Sequence, residues 1–413
     1  EFPAHWDFKT IGDFASRVRT KNTGGECQDP MTISAIDGLV SQRDYFNKIV
    51  ASKNTEGYTL LHKNDFAYNK SYSDGYPVGA VRRLKTKDRG IVSPLYICFE
   101  LDREQIDLQF ADYLFDSDWF VQAIYGIAKE GARSHGLLNI GIEEFFSASL
   151  PIPPLTEQKK IAEILSGIDN LVRSLTEHNQ KLETTKAALS KELISGQSGH
   201  RKESLYGQIP EHWNESTLGE VIGMANLQTG PFGSQLHAHE YTTEGIPVIM
   251  PQDMKKYGVV TDKIARINPD RAKTLEKHRV SPGDILFSRR GDIGRHAIIS
   301  TNESGWICGT GCLRARSDDA INPIFLSELL RHRYALEWLN ANAVGQTMLN
   351  LNTGILADLP VVVPPVDEQE KIANSLSSIN EQLRKIANKI WHTQNLKVAV
   401  ATDLLTGRKR VSI

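Results

Sequence analysis

The sequence has little cysteine and no long apolar run. Its 413 residues include only four cysteines, too few for a disulfide framework and typical of a reducing cytoplasm. No apolar stretch has the length that a membrane-spanning helix needs, and the start shows no signal-peptide pattern. The chain begins at Glu1 without a methionine, so we expect that a few residues were trimmed or are missing. These features favour a cytoplasmic protein with no membrane partner, long enough for two domains.

Motifs of several enzyme classes are also missing. There is no Walker A sequence for ATP-driven translocation, and no glycine-rich cofactor loop with the Asn-Pro-Pro-aromatic motif of DNA adenine methyltransferases. No cluster of carboxylates with a lysine indicates a nuclease. Cys308 and Cys312 lack a second Cys/His pair at ligand spacing, so we interpret them as buried thiols rather than metal ligands. We therefore expect no catalytic residue, no cofactor and no metal.

The charges are balanced overall but segregated along the chain. The net charge of −2 does not by itself indicate a nucleic-acid partner. Residues 82–89 carry five basic side chains and one acid, whereas residues 100–118 carry seven acids and one arginine. Such runs are most often solvated faces, but two opposite patches also fit a protein with two kinds of partner.

The sequence contains an internal repeat at a constant offset of 211 positions. Residues 153–196 and 364–407 align without a gap, and about a third of their positions are identical. The longer segment before each copy is divergent but keeps some landmarks in the same order. Three pairs of segments match: Pro3-Ala4-His5-Trp6 and Pro210-Glu211-His212-Trp213, Lys63–Tyr68 and Pro282–Phe287, and Leu138-Asn139 and Leu349-Asn350. A period this long indicates a duplicated domain.

Each repeated segment is predicted to be one long helix, over residues 156–195 and 367–406. Thr156 and Asp367 are good N-caps after Pro-Pro, and Gly196 and Gly407 suit left-handed C-caps. Apolar residues recur at alternating spacings of four and three, which is the pattern of a coiled-coil seam. In the first helix the seam residues are Ile161, Leu165, Ile168, Val172, Leu175, Leu182, Leu189 and Leu193, interrupted by Asn179 and Lys186. In the second they are Ile372, Leu376, Ile379, Leu383, Ile386, Ile390, Val400 and Leu404, interrupted by Thr393 and Lys397.

The two helices are predicted to pack antiparallel and act as a spacer, with the polar seam residues setting the register. The divergent segments combine short β-rich stretches with helical patterns at about 106–128 and 323–342, which indicates two mixed α/β domains. The expected fold is α+β, with an internal pseudo-twofold repeat. Its expected domains are residues 1–150, 151–200, 201–361 and 362–413, alternately variable domain and helix.

This arrangement resembles the DNA-specificity subunit of Type I restriction–modification systems over essentially the whole chain. The strongest carriers are the two helix starts, Pro153–Ile161 and Pro364–Ile372, with their prolines, Glu-Gln pair and isoleucine. Further support comes from Ile209–Trp213 and Gly283–Leu286. The resemblance implies a protein that reads a two-part target on double-stranded DNA. It also implies methyltransferase subunits, two of them, and restriction/translocase subunits as partners.

Candidate DNA-binding residues lie in polar or basic loops of both variable domains. Phe287–Arg295 is a glycine-flanked loop with three arginines, which can grip phosphates or read guanine. A charged hairpin turn is the alternative for that loop, and for the amide side chains capping or turn roles are the alternative to adenine reading. The second-domain candidates are Ser234, Gln235, Arg289, Arg290, Arg295, Gln346, Thr347 and Asn350. The first-domain candidates are Tyr68, Asn69, Lys70, Arg82, Arg83, Lys85, Lys87, Arg89, Arg133, Ser134 and His135.

The first domain departs from the family pattern, because it has no counterpart of Gly230–Gln235 or Gly245–Pro247. Its target should therefore differ from that of the second domain. Two other functions stay open at this point. One is a self-contained nuclease or methyltransferase, and the other is a scaffold whose arms bind protein. The DNA sequence itself does not follow from the amino-acid sequence.

Overall fold

The chain forms two compact units in the computed structural model. One unit comprises Glu1–Ser174 with Ile390–Ile413, and the other comprises Leu175–Lys389. Each unit therefore contains one variable segment and a part of both long helices. The structure describes residues 2–34, 38–46, 50–52, 54–71, 75–127, 133–134, 137–138, 140–195, 200–255, 258–317, 320–345 and 348–411, with the backbone alone at 133–134, 137–138 and 195.

The two long helices span Leu155–Ser195 and Val366–Leu405, which confirms their prediction to within one residue. The predicted N-caps are wrong, because both helices begin one residue earlier. The carbonyl of Pro154 accepts from the backbone N–H groups of Glu157 and Gln158 at 2.9 and 3.0 Å, so Thr156 lies within the first turn. Asp367 likewise lies within the first turn of the second helix. Gly407 has the predicted left-handed conformation, with φ +71°, whereas Gly196 is outside the described residues.

Within each unit the two helices run antiparallel, as predicted. In the first unit Arg410 Nε lies 3.1 Å from Glu157 Oε1, and Lys397 Nζ lies 2.6 Å from Asp169 Oδ1. Residue numbers therefore rise along one helix as they fall along the other. In the second unit Ile194 shares a core with Ile372 and Leu376. All predicted seam positions are buried or half-buried, so the narrow stripe is the packed face.

The first variable segment is built around a four-stranded antiparallel sheet. Its strand order is Ala15–Arg17, Ile97–Leu101, Phe66–Asn69, Ala80–Arg83. The other strands are Asp7–Thr10 with Ser149–Ile152, Met31–Ser34 with Gly38–Ser41, Thr59–His62 with Arg89–Val92, and Arg133–Ser134 with Leu137–Leu138. The helices are Ile11–Phe14, Gln42–Phe46, Leu108–Leu114, Asp118–Ile127 and Ile142–Ser147.

The second variable segment repeats that sheet with Leu227–Thr229, Cys312–Ala315, Ile285–Ser288 and His296–Ile298. It adds a mixed sheet of Tyr241–Thr242, Ala265–Ile267, Ile246–Ile249 and Ile307–Cys308. The other strands are Arg201–Ser204 with Gly207–Pro210, Asn214–Thr217 with Pro360–Val363, and Met254–Lys255 with Gly258–Val259. The helices are Leu218–Ile222, Pro269–Thr274, Pro323–Leu330, Arg333–Asn342 and Thr353–Ala357. The helical patterns predicted at about 106–128 and 323–342 are thus two helices each.

The strands Phe66–Asn69 and Ile285–Ser288 are equivalent, as the sequence alignment predicts. Each follows a turn in which an aspartate, Asp65 or Asp284, accepts from the backbone three residues earlier at 2.7 and 2.8 Å. The turn needs a positive φ at the residue before the aspartate. Gly283 supplies it at +89°, and Asn64 adopts it at +80°, a conformation that asparagine tolerates better than most residues.

The repeated Glu-Gln pair attaches each domain to its long helix. Glu157 accepts hydrogen bonds from His5 Nε2 at 2.9 Å and Trp6 Nε1 at 3.2 Å. Gln158 accepts from the backbone N–H of Asp107 at 2.7 Å and donates to two carbonyls. The second unit repeats these bonds from His212 and Trp213 to Glu368 and from Asn322 to Gln369. The repeated His-Trp pair and the repeated glutamate are therefore partners of one another in each unit.

Candidate nucleic-acid interface

The arginine loop, residues 289–295, lies against two other loops of the second unit. Its first residue donates its backbone N–H to Gly311 O and accepts from Leu351 N, both at 2.8 Å. Arg290 forms a backbone bridge with Asn350. Gly294 has φ +91°, and a Cβ there would clash with the Leu336 side chain. The glycine therefore allows the loop to turn closely over the helix Arg333–Asn342.

The three arginines of this loop have different environments. Arg290 is exposed, and its guanidinium has no hydrogen bond or ion pair with the residues that the structure describes. Arg289 is half-buried, stacks 5.5 Å from the ring centroid of Phe232 and donates from Nε to Leu351 O at 3.2 Å. Arg295 is bound to Asp292 at 2.8 Å. Among the three, only Arg290 has a side chain without a partner among the described residues.

Three apolar side chains surround the arginine loop and were not predicted. Phe232, Val344 and Met348 are 50, 54 and 56 % exposed. Phe232 contacts Arg289, and Val344 forms a backbone bridge with Asn350. Exposed apolar groups beside polar ones suit contact with thymine methyl groups. The signal in the sequence was an apolar residue inside a loop of glycine, proline and polar residues.

The amide and hydroxyl candidates of the second unit have mixed roles. Asn350 donates from Nδ2 to Met348 O at 2.8 Å, and Gln235 Oε1 accepts from Phe232 N at 3.1 Å, so both side chains stabilise their own loops. Ser234 is exposed. Gln346 and Thr347 lie outside the described residues.

The prediction of a DNA contact for Tyr68 is wrong. Its side chain is completely buried, stacks on Phe145 with 4.9 Å between ring centroids and donates to Val78 O at 2.6 Å. Burial raises the pKa of its hydroxyl. Tyr68 belongs to a strand whose side chains alternate between faces, and this face packs on the core. Asn69 and Lys70, which follow, are half-buried, and Lys70 donates to Ile140 O at 3.1 Å.

The basic run 82–89 is largely paired with carboxylates of its own unit. Arg82 lies 2.7 Å from Asp116, and Arg83 and Lys85 lie 2.6 and 2.9 Å from Asp112. The guanidinium groups of Arg82 and Arg83 are only 12 and 13 % exposed. Burial raises the pKa of Asp116, although Arg82 opposes the shift. The basic and acidic runs therefore bind each other, so two partner patches are not needed to explain them.

The outer part of this run remains accessible. Lys87 pairs with Asp29 and Arg89 lies 4.0 Å from Glu26, with 40 and 54 % of the two basic side chains exposed. Lys85 is 55 % exposed. Arg133 and Ser134 form a backbone pair with Leu137–Leu138, and their side chains are not described. His135 lies outside the described residues.

No helix in the described ranges is long and apolar enough to cross a membrane. Nor do these ranges contain three His, Cys, Asp or Glu residues grouped so that they could hold a metal ion. Cys308 and Cys312 are buried, and Cys312 Sγ contacts Ile249 O at 3.4 Å.

The duplicated domain, the paired helices and the contacts repeated at their starts define a DNA-specificity architecture. The chain belongs to the family of the Type I restriction modification DNA specificity domain, whose model matches residues 3–184 and 210–391. The two matches correspond to the internal repeat.

Curated relatives and solved structures agree with this assignment. The Type I restriction enzyme MjaVIII specificity subunit of Methanocaldococcus jannaschii is 23 % identical, with 99 % of this chain and 94 % of the relative covered. The putative MjaX specificity subunit of the same organism is 27 % identical, with 100 and 95 % covered. The crystal structure of the Type I system S subunit from M. genitalium has a TM-score of 0.61 at 17 % identity, covering 99 and 96 %. That structure supports the fold.

Proposed function

We propose that this chain selects the DNA target of a Type I restriction–modification complex and is itself non-catalytic. Each variable domain, 1–150 and 201–361, reads one half of a two-part target, and the helical segments 151–200 and 362–413 set the unread spacer. The observation that carries this proposal is that the two units share a scaffold but differ in the structure beside it. The same sheet and the same Glu-Gln contacts occur in both units, whereas the mixed sheet beside the arginine loop occurs in the second alone among the described residues.

The reading surface of the second unit centres on Arg290, supported by Arg289 and flanked by Phe232 and Met348. An exposed guanidinium in a loop fixed by backbone hydrogen bonds can present two donors to guanine without a large ordering cost. In the first unit the accessible candidates are Lys85, Lys87 and Arg89, and Asn69 and Lys70 are half-buried candidates. Arg82 and Arg83 instead hold the two charged segments together.

The relatives are named as specificity subunits of Type I restriction enzymes. By that likeness, we assign this chain two methyltransferase subunits and restriction/translocase subunits as partners, acting on double-stranded DNA in the cytoplasm. Catalysis would then belong to those subunits. A purified chain that methylated or cut DNA without them would contradict this part of the proposal.

The test is to express the complete system and to map methylated positions across the host genome. We expect one motif of two specified parts separated by a fixed number of unspecified positions. A continuous motif, or methylation without a motif, would refute the two-part reading. Chains with the second variable domain replaced by that of another specificity subunit should change the second part alone.

A further inference from the structure

A cleft in the second unit adjoins the arginine loop. Its volume is about 1020 Å³, and its walls come from the long helix Leu155–Ser195, the strand Met254–Lys255, and the helices Pro323–Leu330 and Arg333–Asn342. Residues 292–295 of the arginine loop form one edge. Six lining side chains are lysine or arginine and three are carboxylates, so the cleft has a positive excess.

Two of the three carboxylates that line the cleft have partners among its other lining or neighbouring residues. Glu328 is buried and accepts hydrogen bonds from Lys186 at 2.7 Å and Asn380 at 3.3 Å. Asp292 pairs with Arg295. Neither of these two carboxylates is therefore paired with Lys191, Lys255 or Arg333.

Three cations at the rim remain available. Lys191 and Lys255 are exposed and have no ion pair with any residue in the described part of the chain. Arg333 is 88 % exposed, and its ion pair is with Glu337 on its own helix, itself 62 % exposed, at 3.3 Å. Exposed pairs of this kind contribute little stability, so these side chains can exchange water for an anion at small cost.

The equivalent cleft of the first unit lacks this excess. It has a volume of about 960 Å³ and is lined by four basic side chains and four carboxylates. Thr402 stands at the position equivalent to Lys191. Asp118 begins the helix that corresponds to the one beginning at Arg333. The positive excess is therefore specific to the cleft of the second unit.

We propose that Lys191, Lys255 and Arg333 bind phosphate groups of the DNA strand beside the bases that the arginine loop reads. The proposal rests on the DNA-reading function proposed above. A loop that enters a groove has a phosphate strand on each side, and contacts to phosphates fix the register of a protein on DNA. Because residues 292–295 belong to both the loop and the cleft edge, a duplex that reaches Arg290 brings a strand to this rim.

The experiment measures DNA binding by the assembled methyltransferase complex at a series of salt concentrations. The probes are a cognate duplex and a duplex with a scrambled second half-site. In a complex with Lys191→Ala, Lys255→Ala and Arg333→Ala together, we expect the slope of log K against log salt to fall by about two to three. Affinity should fall by the same factor for both duplexes, because phosphates are common to all sequences. Arg333→Lys alone should retain the wild-type slope.

A matched control removes Lys273, Lys371 and Lys385, three exposed lysines of the same unit outside the cleft, and should keep the slope. An unchanged slope in the cleft variant would overturn the proposal. So would loss of a methyltransferase subunit with an unchanged slope, since the cleft would then bind an acidic protein segment. If the wild-type complex failed to prefer the cognate duplex, the reading function would fail, but the slopes would still decide the role of the cleft.

Discussion

Replacing Arg290 with alanine tests the reading surface most directly. Arg290 is exposed and has no partner among the described side chains, so its removal should leave the folded state almost unchanged. If its guanidinium reads a guanine through two hydrogen bonds, the loss should be about 1–3 kcal/mol, or roughly 5- to 150-fold in affinity. The preference should relax at one position of the second half-site. The first half-site should be unaffected.

Arg290→Lys is the informative control, because lysine keeps the charge but not the two-donor geometry. We expect it to retain the salt dependence of binding and to lose the base preference. The assay is fluorescence anisotropy of the methyltransferase complex on duplexes that carry each base at each position of the second half-site. Equal weakening on all duplexes, with a shallower salt slope, would make Arg290 a phosphate contact instead. Wild-type affinity and preference in Arg290→Ala would show that the loop faces solvent or protein.

Three further predictions concern the scaffold. Glu157→Gln should lower the free energy of unfolding by about 2–3 kcal/mol, because charged hydrogen bonds are stronger than neutral ones. Glu368 is half-exposed, so Glu368→Gln should lower it by only about 1 kcal/mol. Urea unfolding measures both. Burial alone would raise the pKa of Glu157, but hydrogen bonds from His5, Trp6 and Arg410 lower it below its ordinary value. The stability that the Glu157 carboxylate contributes is thus present above its pKa in the unfolded chain and is lost as pH falls through its pKa in the folded chain. The difference in unfolding free energy between the wild type and Glu157→Gln should therefore shrink in acid. Tyr68→Phe should lower the free energy of unfolding by about 1–2 kcal/mol, because it leaves Val78 O unpaired. Methylation specificity should be unchanged, and altered specificity would contradict the assignment of Tyr68 to the core. Removing one heptad from both long helices should change the spacer and leave both half-sites unchanged in methylation mapping.

Local patterns in the sequence predicted the long helices almost to the residue. The seam period, the uninterrupted helix formers and the second copy all agreed. The N-caps were misplaced because the Pro154 carbonyl accepts the first hydrogen bonds, although threonine and aspartate are the better capping side chains in general. The alignment of the repeats also identified two equivalent strands, since the turn before each needs the same aspartate.

Local sequence patterns did not predict contacts between segments that are distant in the chain. Arg82 and Arg83 bind aspartates about 30 residues later, and only the fold brings the two runs together. Tyr68 was assigned to a surface because polar residues follow it, but its strand turns this side chain toward the core. Duplication marked Glu157 and Gln158 as important, whereas their partners became evident only from the folded chain.

The polar interruptions of the seam show how one scaffold carries two divergent domains. Lys397 lies 2.6 Å from Asp169 on the other long helix and 5.5 Å from the ring centroid of Tyr113. At the equivalent positions Lys186 and Asn380 both donate to Glu328, at 2.7 and 3.3 Å, and Arg331 lies 3.8 Å from the same carboxylate. Tyr113 and Glu328 are each the sixth residue of corresponding helices. Each site has one lysine and one carboxylate, but the carboxylate lies on the long helix in one unit and on the variable domain in the other.

A lysine with no acid, or two acids around one lysine, would leave a poorly compensated charge at these sites, and in the buried second site that cost is large. The charge balance at the seam therefore constrains which domain helix can pack on which segment of long helix. Exposed loop side chains such as Arg290, which has no hydrogen bond or ion pair with a described residue, carry no such constraint. DNA preference can then diverge in those loops while the lysine and its carboxylate keep each domain in a fixed position on the helices.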